Sequence, residues 1–265
     1  MRFAFVPFVV LAAALLLGGC VQSGPVPTAS AEPRTTFDQA DADRRAANRM
    51  ELASLYYARG QYETALDETK QALAAKPELG TAFNLRGLIY AAMGEERLAE
   101  ESFQRALAIN PRDADAMHNR AWFQCQSRRY DEAERGFEQA LAQPQYRDQT
   151  RTLLAQGVCL ARAGKLDAAE QKLTRAFELD TGNPTTALNL AEVLHRRGQS
   201  ERARFYIQRV NQREEWTSAG SLYLALRIER RLGNGPAVDA LAQQLRNRFP
   251  QSPEALSIDR GRIDD

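Results

Sequence analysis

The stretch Gly80–Asp113, GTAFNLRGLIYAAMGEERLAEESFQRALAINPRD, decides the fold. It is 34 residues long. Counted from Gly80, it places Phe83, Gly87, Tyr90, Gly94, Ala99, Phe103, Ala106 and Pro111 at positions 4, 8, 11, 15, 20, 24, 27 and 32. Each residue type has a mechanical reason. Gly87 and Ala99 are small and let two helices, A and B, approach closely. Phe83, Tyr90 and Phe103 fill the space between helices and against a neighbouring unit. Gly94 supplies the left-handed turn that ends helix A. Pro111 cannot continue helix B and disfavours helix at Asn110.

The pattern resembles a tetratricopeptide repeat, a helix–turn–helix unit of 34 residues. Imperfect copies run along the chain. The first keeps Ala53, Tyr56, Gly60, Ala65 and Ala72; the third keeps Ala121, Tyr130, Ala133, Phe137 and Ala140. The fourth has Gly157, Gly164, Ala169, Leu173 and Ala176, and the fifth Ala191, Leu194, Gly198 and Ala203. The expected fold is all-α, a right-handed superhelical solenoid of about six repeats near 46–79, 80–113, 114–147, 150–183, 184–217 and 219–252. Asp131 with Glu134, and Asp167 with Glu170, read as capping pairs at two B helices. Two extra residues within Gln143–Arg147 are expected to distort the stacking locally. Residues 253–265 read as a C-terminal tail, polar and frayed from Ser257 to Asp265.

The N-terminus reads differently. Arg2 precedes an apolar run, Phe3–Leu17, and small residues follow, so residues 1–19 read as a secretory signal peptide. Leu17-Gly18-Gly19-Cys20 resembles the lipobox of bacterial lipoproteins. The resemblance implies that Cys20 becomes the lipidated mature N-terminus, and Val21 resembles the residue of an outer-membrane destination. Several acyl chains anchor firmly where one binds marginally. Residues 20–45 carry Pro25, Pro27 and Pro33 and read as a lipidated start and flexible tether.

Composition excludes several function classes. Lys+Arg is 35 and Asp+Glu 34, so no basic excess points to nucleic acid. Three cysteines without a CxxC pair, and two histidines, do not make a zinc site. No GxSxG, HExxH or P-loop is present. The reading is a non-enzyme with no metal, cofactor or small-molecule substrate.

Binding is the expected activity. Positions 2, 5, 9, 12 and 13 of each A helix face the concave groove of such a solenoid. They give Met50, Tyr57, Asn84, Leu88, Ala91, His118, Trp122, Leu154 and Val158 as the candidate partner-binding set, with Arg151, Arg162 and Arg196 adding basic charge later. An aromatic and apolar patch of this kind suits a peptide or helix. Cys125 and Cys159 sit on neighbouring A helices. Two readings stay open for them: a disulfide that staples the third and fourth repeats, or two buried thiols.

Several segments together resemble one family. They are His118–Cys125 (HNRAWFQC), Gln143–Tyr146 (QPQY), Gly157–Cys159 (GVC), Ser221–Ile228 (SLYLALRI) and Gln244–Ser252 (QLRNRFPQS). Their order and spacing are similar to the PilF/PilW family of type IV pilus biogenesis lipoproteins. The resemblance implies the Cys125–Cys159 disulfide. It also implies an outer-membrane pilotin that binds the type IV pilus secretin in its groove and promotes the secretin's localisation and multimerisation. The competing expectation is a general envelope lipoprotein that scaffolds peptidoglycan enzymes or another secretion system.

Overall fold

A computed structural model of the chain describes residues 35–261. The signal peptide, Cys20 and most of the expected tether lie outside the described residues. Within them the chain forms six helical hairpins and one further helix. The A helices are α1 (Thr36–Ala58), α3 (Gly80–Met93), α5 (Ala114–Gln126), α7 (Gln149–Arg162), α9 (Pro184–Arg196) and α11 (Ala219–Arg231). Their B partners are α2 (Tyr62–Ala75), α4 (Glu96–Ile109), α6 (Tyr130–Leu141), α8 (Leu166–Leu179), α10 (Ser200–Asn211) and α12 (Gly235–Arg248). A short α13 (Pro253–Asp259) closes the chain. Each B helix packs on its own A helix and on the next A helix, and successive A helices also touch. The result is a one-dimensional stack in which every unit is buried by its neighbours.

The A-to-B turn is the same in every unit. The residue at position 15 is left-handed each time: Gly60, Gly94, Arg128, Gly164, Gly198 and Gly233. The next residue donates its backbone N–H to the carbonyl five residues back, as in Glu95 to Tyr90 at 2.9 Å and Gln199 to Leu194 at 2.9 Å. That bond satisfies a carbonyl that the helix end leaves free. Arg128, at φ 60°, occupies the third turn without glycine's freedom.

The core follows from small residues meeting large ones. Alanines at positions 20 and 27 (Ala65, Ala72, Ala99, Ala106, Ala133, Ala140, Ala169 and Ala176) are fully buried. At position 8, a Cβ on Gly87 would meet the Phe103 ring at 2.7 Å, and one on Gly157 would meet Leu173 at 2.6 Å. In the third unit the small residue moves across the interface: a Cβ on Gly136 would meet the Ala121 Cβ at 2.9 Å. In the sixth unit the sizes are reversed, with Leu226 at position 8 and Ala242 at position 24 sharing one buried cluster.

Four expectations need correction. The tether does not extend to residue 45, because α1 begins at Thr36. Thr35 caps it by a reciprocal bond with Asp38. Ala42, Ala46 and Ala53 make a buried stripe at helical spacing, and Asp43 pairs with Lys76 at 2.8 Å. The tail is not frayed throughout. Ser252 caps α13, Pro253 fits its first turn, and Ala255 and Ile258 bury against Leu222 and Leu245. The two acidic pairs do not cap helices. Asp131 and Glu134 both accept from Lys165 Nζ of the next unit, at 2.9 and 2.8 Å. Asp167 and Glu170 likewise hold Arg197. Finally, the insertion does not disturb the stack. Tyr146 folds inward and is 9% exposed, and α6 packs on α7 as α8 does on α9.

Candidate binding groove

An A helix has one flank on its B helix and two edges against its neighbours. The remaining flank is the open face. Positions 5 and 9 recur at helical spacing on that flank, while position 12 joins them at Tyr57 and Ala91 and is buried at Cys125 and His195. Eight of the nine candidate residues are half-buried there, so each both packs and presents surface. Met50 and Tyr57 of α1 pack with Ala53 and Leu85. The Tyr57 ring lies 5.9 Å from that of Tyr62, and burial, then Tyr62, raises its phenol pKa above the usual value. Asn84 accepts from Asn119 Nδ2 at 3.2 Å, tying α3 to α5. Leu88 and Ala91 rest on Phe103 and Phe123. Trp122 packs beside the buried sulfurs, and the Arg162 guanidinium stands 5.2 Å from its ring centre. Leu154 leans on the core formed by α7 to α11, and Val158 lies one helical turn further along α7.

Cys125 and Cys159 are joined as a disulfide, with Cα atoms 5.8 Å apart. Both are essentially buried, in one cluster with Ala121, Ala133 and Phe137. The bond spans 34 residues and ties α5 to α7 directly under Trp122.

His118 is the exception among the nine. It does not line the groove: it is 6% exposed. Its Nδ1 lies 2.8 Å from Thr152 Oγ1, and the same hydroxyl lies 2.7 Å from the Tyr146 hydroxyl. The Phe137 ring meets it edge-on at 5.7 Å. Burial, with the nearby Arg151 charge, pushes its pKa down to about 4. His118 is therefore a neutral strut between the third and fourth units. The inserted Tyr146 joins it through that shared Thr152 hydroxyl. Sequence reasoning placed Tyr146 in the insertion and missed its partner Thr152. It also stopped the groove at α9, whereas position 9 of α11 is Arg227 and position 13 is Arg231, beside Tyr223 at position 5.

No group of three metal-ligating side chains occurs among the described residues. The arrangement offers surface, shape and charge to a partner.

Family models described as tetratricopeptide repeat match residues 50–114 and 124–184, 102–135, and 160–215. No curated protein sequence matches the chain. Among solved structures, that of PilW, described as a widely conserved type IV pilus biogenesis factor, is 30% identical. The match covers 80% of this chain and 97% of PilW, with a TM-score of 0.75. PilF of Pseudomonas aeruginosa shares the fold at 23% identity, over 84% of this chain and all of that one, with a TM-score of 0.73. YrrB, described as a repeat protein with an unusual peptide-binding site, shares it at 18% identity, over 72% of this chain and 97% of that one, with a TM-score of 0.59. With six stacked hairpins and nearly the whole of PilW matched at 30% identity, this chain belongs to the PilF/PilW family of tetratricopeptide-repeat type IV pilus biogenesis proteins.

Proposed function

We propose that this chain is an outer-membrane lipoprotein pilotin. It binds the type IV pilus secretin through the A-helix groove and promotes the secretin's localisation and multimerisation at the outer membrane. The observation that carries the reading is the row of half-buried apolar and aromatic side chains on the open A-helix face: Met50, Tyr57, Leu88, Trp122, Leu154 and Val158. Such a row stays partly wet until a partner covers it, and a peptide segment or helix fits it. Leu17-Gly18-Gly19-Cys20 supports the anchor, with the lipid on Cys20 as the address.

The test measures secretin multimers in outer-membrane fractions of cells with and without the gene. Loss of multimers that is restored by the wild-type chain, and by neither Cys20→Ser nor Trp122→Glu, is the expected result. Unchanged outer-membrane multimers in the deletion strain sink the reading and favour a general envelope scaffold.

A further inference from the structure

The groove changes character along its length. Position 13 reads Ala58, Ala92 and Gln126 in the first three units and Arg162, Arg196 and Arg231 in the last three. Arg227 adds a cation at position 9 of α11. Arg196, Arg227 and Arg231 line one cleft together with Leu166, Glu192 and His195.

Of these four guanidinium groups, only that of Arg227 meets a carboxylate among the described residues. Arg162 stands over Trp122, and Arg196 donates to the Ala161 carbonyl at 3.1 Å. The Arg227 Nε is buried without a hydrogen-bond partner, and its Nη1 pairs with Glu192 at 3.5 Å. Among the described residues, Arg162, Arg196 and Arg231 form no ion pair. Some arginines away from the groove are held by carboxylates instead. Arg197, next to Arg196, is held by Asp167 and Glu170, and Arg204 by Glu201 and Glu229. The first half of the groove has no such excess: Asp115 is its one charged side chain at these positions, and Arg151 pairs with it at 2.9 Å.

We infer that the C-terminal half of the groove, on α7, α9 and α11, receives an acidic stretch of peptide, whose apolar neighbour lies on Trp122 and the surface from α3 to α7. The inference rests on the groove being the partner-binding face proposed above. Adjacent helices pack about 8–10 Å apart, so the three rungs are spaced by roughly that distance. An extended peptide advances about 3.3–3.6 Å per residue, so carboxylates on about every third residue meet successive rungs. Arginine suits such a site, because its planar fork grips a carboxylate with two parallel bonds. With Lys+Arg at 35 and Asp+Glu at 34 the chain lacks the basic excess of a nucleic-acid binder, which favours peptide over nucleic acid.

The probe is a short fluorescent peptide with Leu, Ile and Phe in its first half and Asp at every third position of its second half. Its twin carries Asn in place of Asp. Anisotropy titrations with the full chain in detergent are expected to show the Asp peptide binding at least about fivefold tighter than the Asn twin. That preference is expected to fade at high salt and to vanish in Arg196→Gln/Arg231→Gln. Both residues are exposed, and circular dichroism checks that the variant is folded. Equal binding of the two peptides, a preference that survives the double variant, or tighter ladder-dependent binding of a single-stranded oligonucleotide overturns the inference. Secretin co-purification is scored separately. If the secretin is held in a Trp122-dependent way while the Asp peptide shows no preference, the acidic inference falls and the groove reading stands. Ladder-dependent binding of the Asp peptide without secretin capture supports the inference and sinks the pilotin reading.

Discussion

At the scale of single residues, two positions hold unusual states. Arg128 sits at φ 60° in a turn where the other five units use glycine. An L-residue in that region costs about 1–2 kcal/mol, and glycine returns part of this as unfolded-state entropy. Arg128→Gly is therefore expected to stabilise the domain by about 1 kcal/mol, read as a higher urea midpoint at unchanged slope. His118 is held neutral by burial and by Arg151, with its pKa lowered from 6.5 to about 4. Between those values the unfolded imidazole binds a proton that the folded one refuses. The associated stability is fully present above pH 6.5 and is lost as pH falls through 4, on the order of 3 kcal/mol in all. In His118→Asn the fall in urea midpoint over that pH window is expected to be clearly shallower than in the wild type. An equally steep fall in the variant would show that other groups carry it. The sequence placed His118 at the right register position and on the wrong surface. Spacing reports which flank a residue occupies, but not that Tyr146 and Thr152 arrive from the linker and the next helix to cover it.

At the scale of elements, the bond between α5 and α7 bridges one of the two long connections between units, the segment from Ala142 to Asp148; the other runs from Gln212 to Ser218. Closing a loop of this length restricts the unfolded chain by about 3–4 kcal/mol in the chain-entropy account. Cys125→Ser/Cys159→Ser is expected to lower unfolding stability by roughly that amount, measured against the oxidised wild type; equal midpoints would remove the disulfide from the stability account. The capping residues show what was legible. Gly60, Gly94, Gly164, Gly198 and Gly233 announce their turns by composition alone. Ser252-Pro253 is an equally good helix start, yet α13 is seven residues long and needs Leu222 and Leu245 to hold it. Isolated helices of that length are marginal, so local pattern alone does not predict it. The acidic pairs after the A-to-B turns carry the same composition as capping boxes. Their partners, Lys165 and Arg197, lie about one repeat further on and become visible only once the units are stacked.

At the scale of the whole molecule, stability passes between neighbours, and the two ends are protected by different means. α1 extends its unit by residues that precede the expected repeat, and α13 covers the last apolar surface. Removal of residues 253–265 is expected to speed amide exchange in α11 and α12 while leaving α2 to α4 protected as before. Uniform acceleration along the chain would instead mean that the array unfolds as one cooperative block. The inversion of side-chain sizes in the sixth unit has a consequence for assembly. Gly87 accepts Phe103, whereas Leu226 shares its cluster with Ala242. A nascent hairpin that exchanged partners between these units would force leucine against phenylalanine in one place and leave glycine beside alanine in the other. One hybrid is overfilled and the other hollow, and both are penalised in a close-packed interior. The reversed pair thus acts as an address that keeps near-identical hairpins from threading out of order.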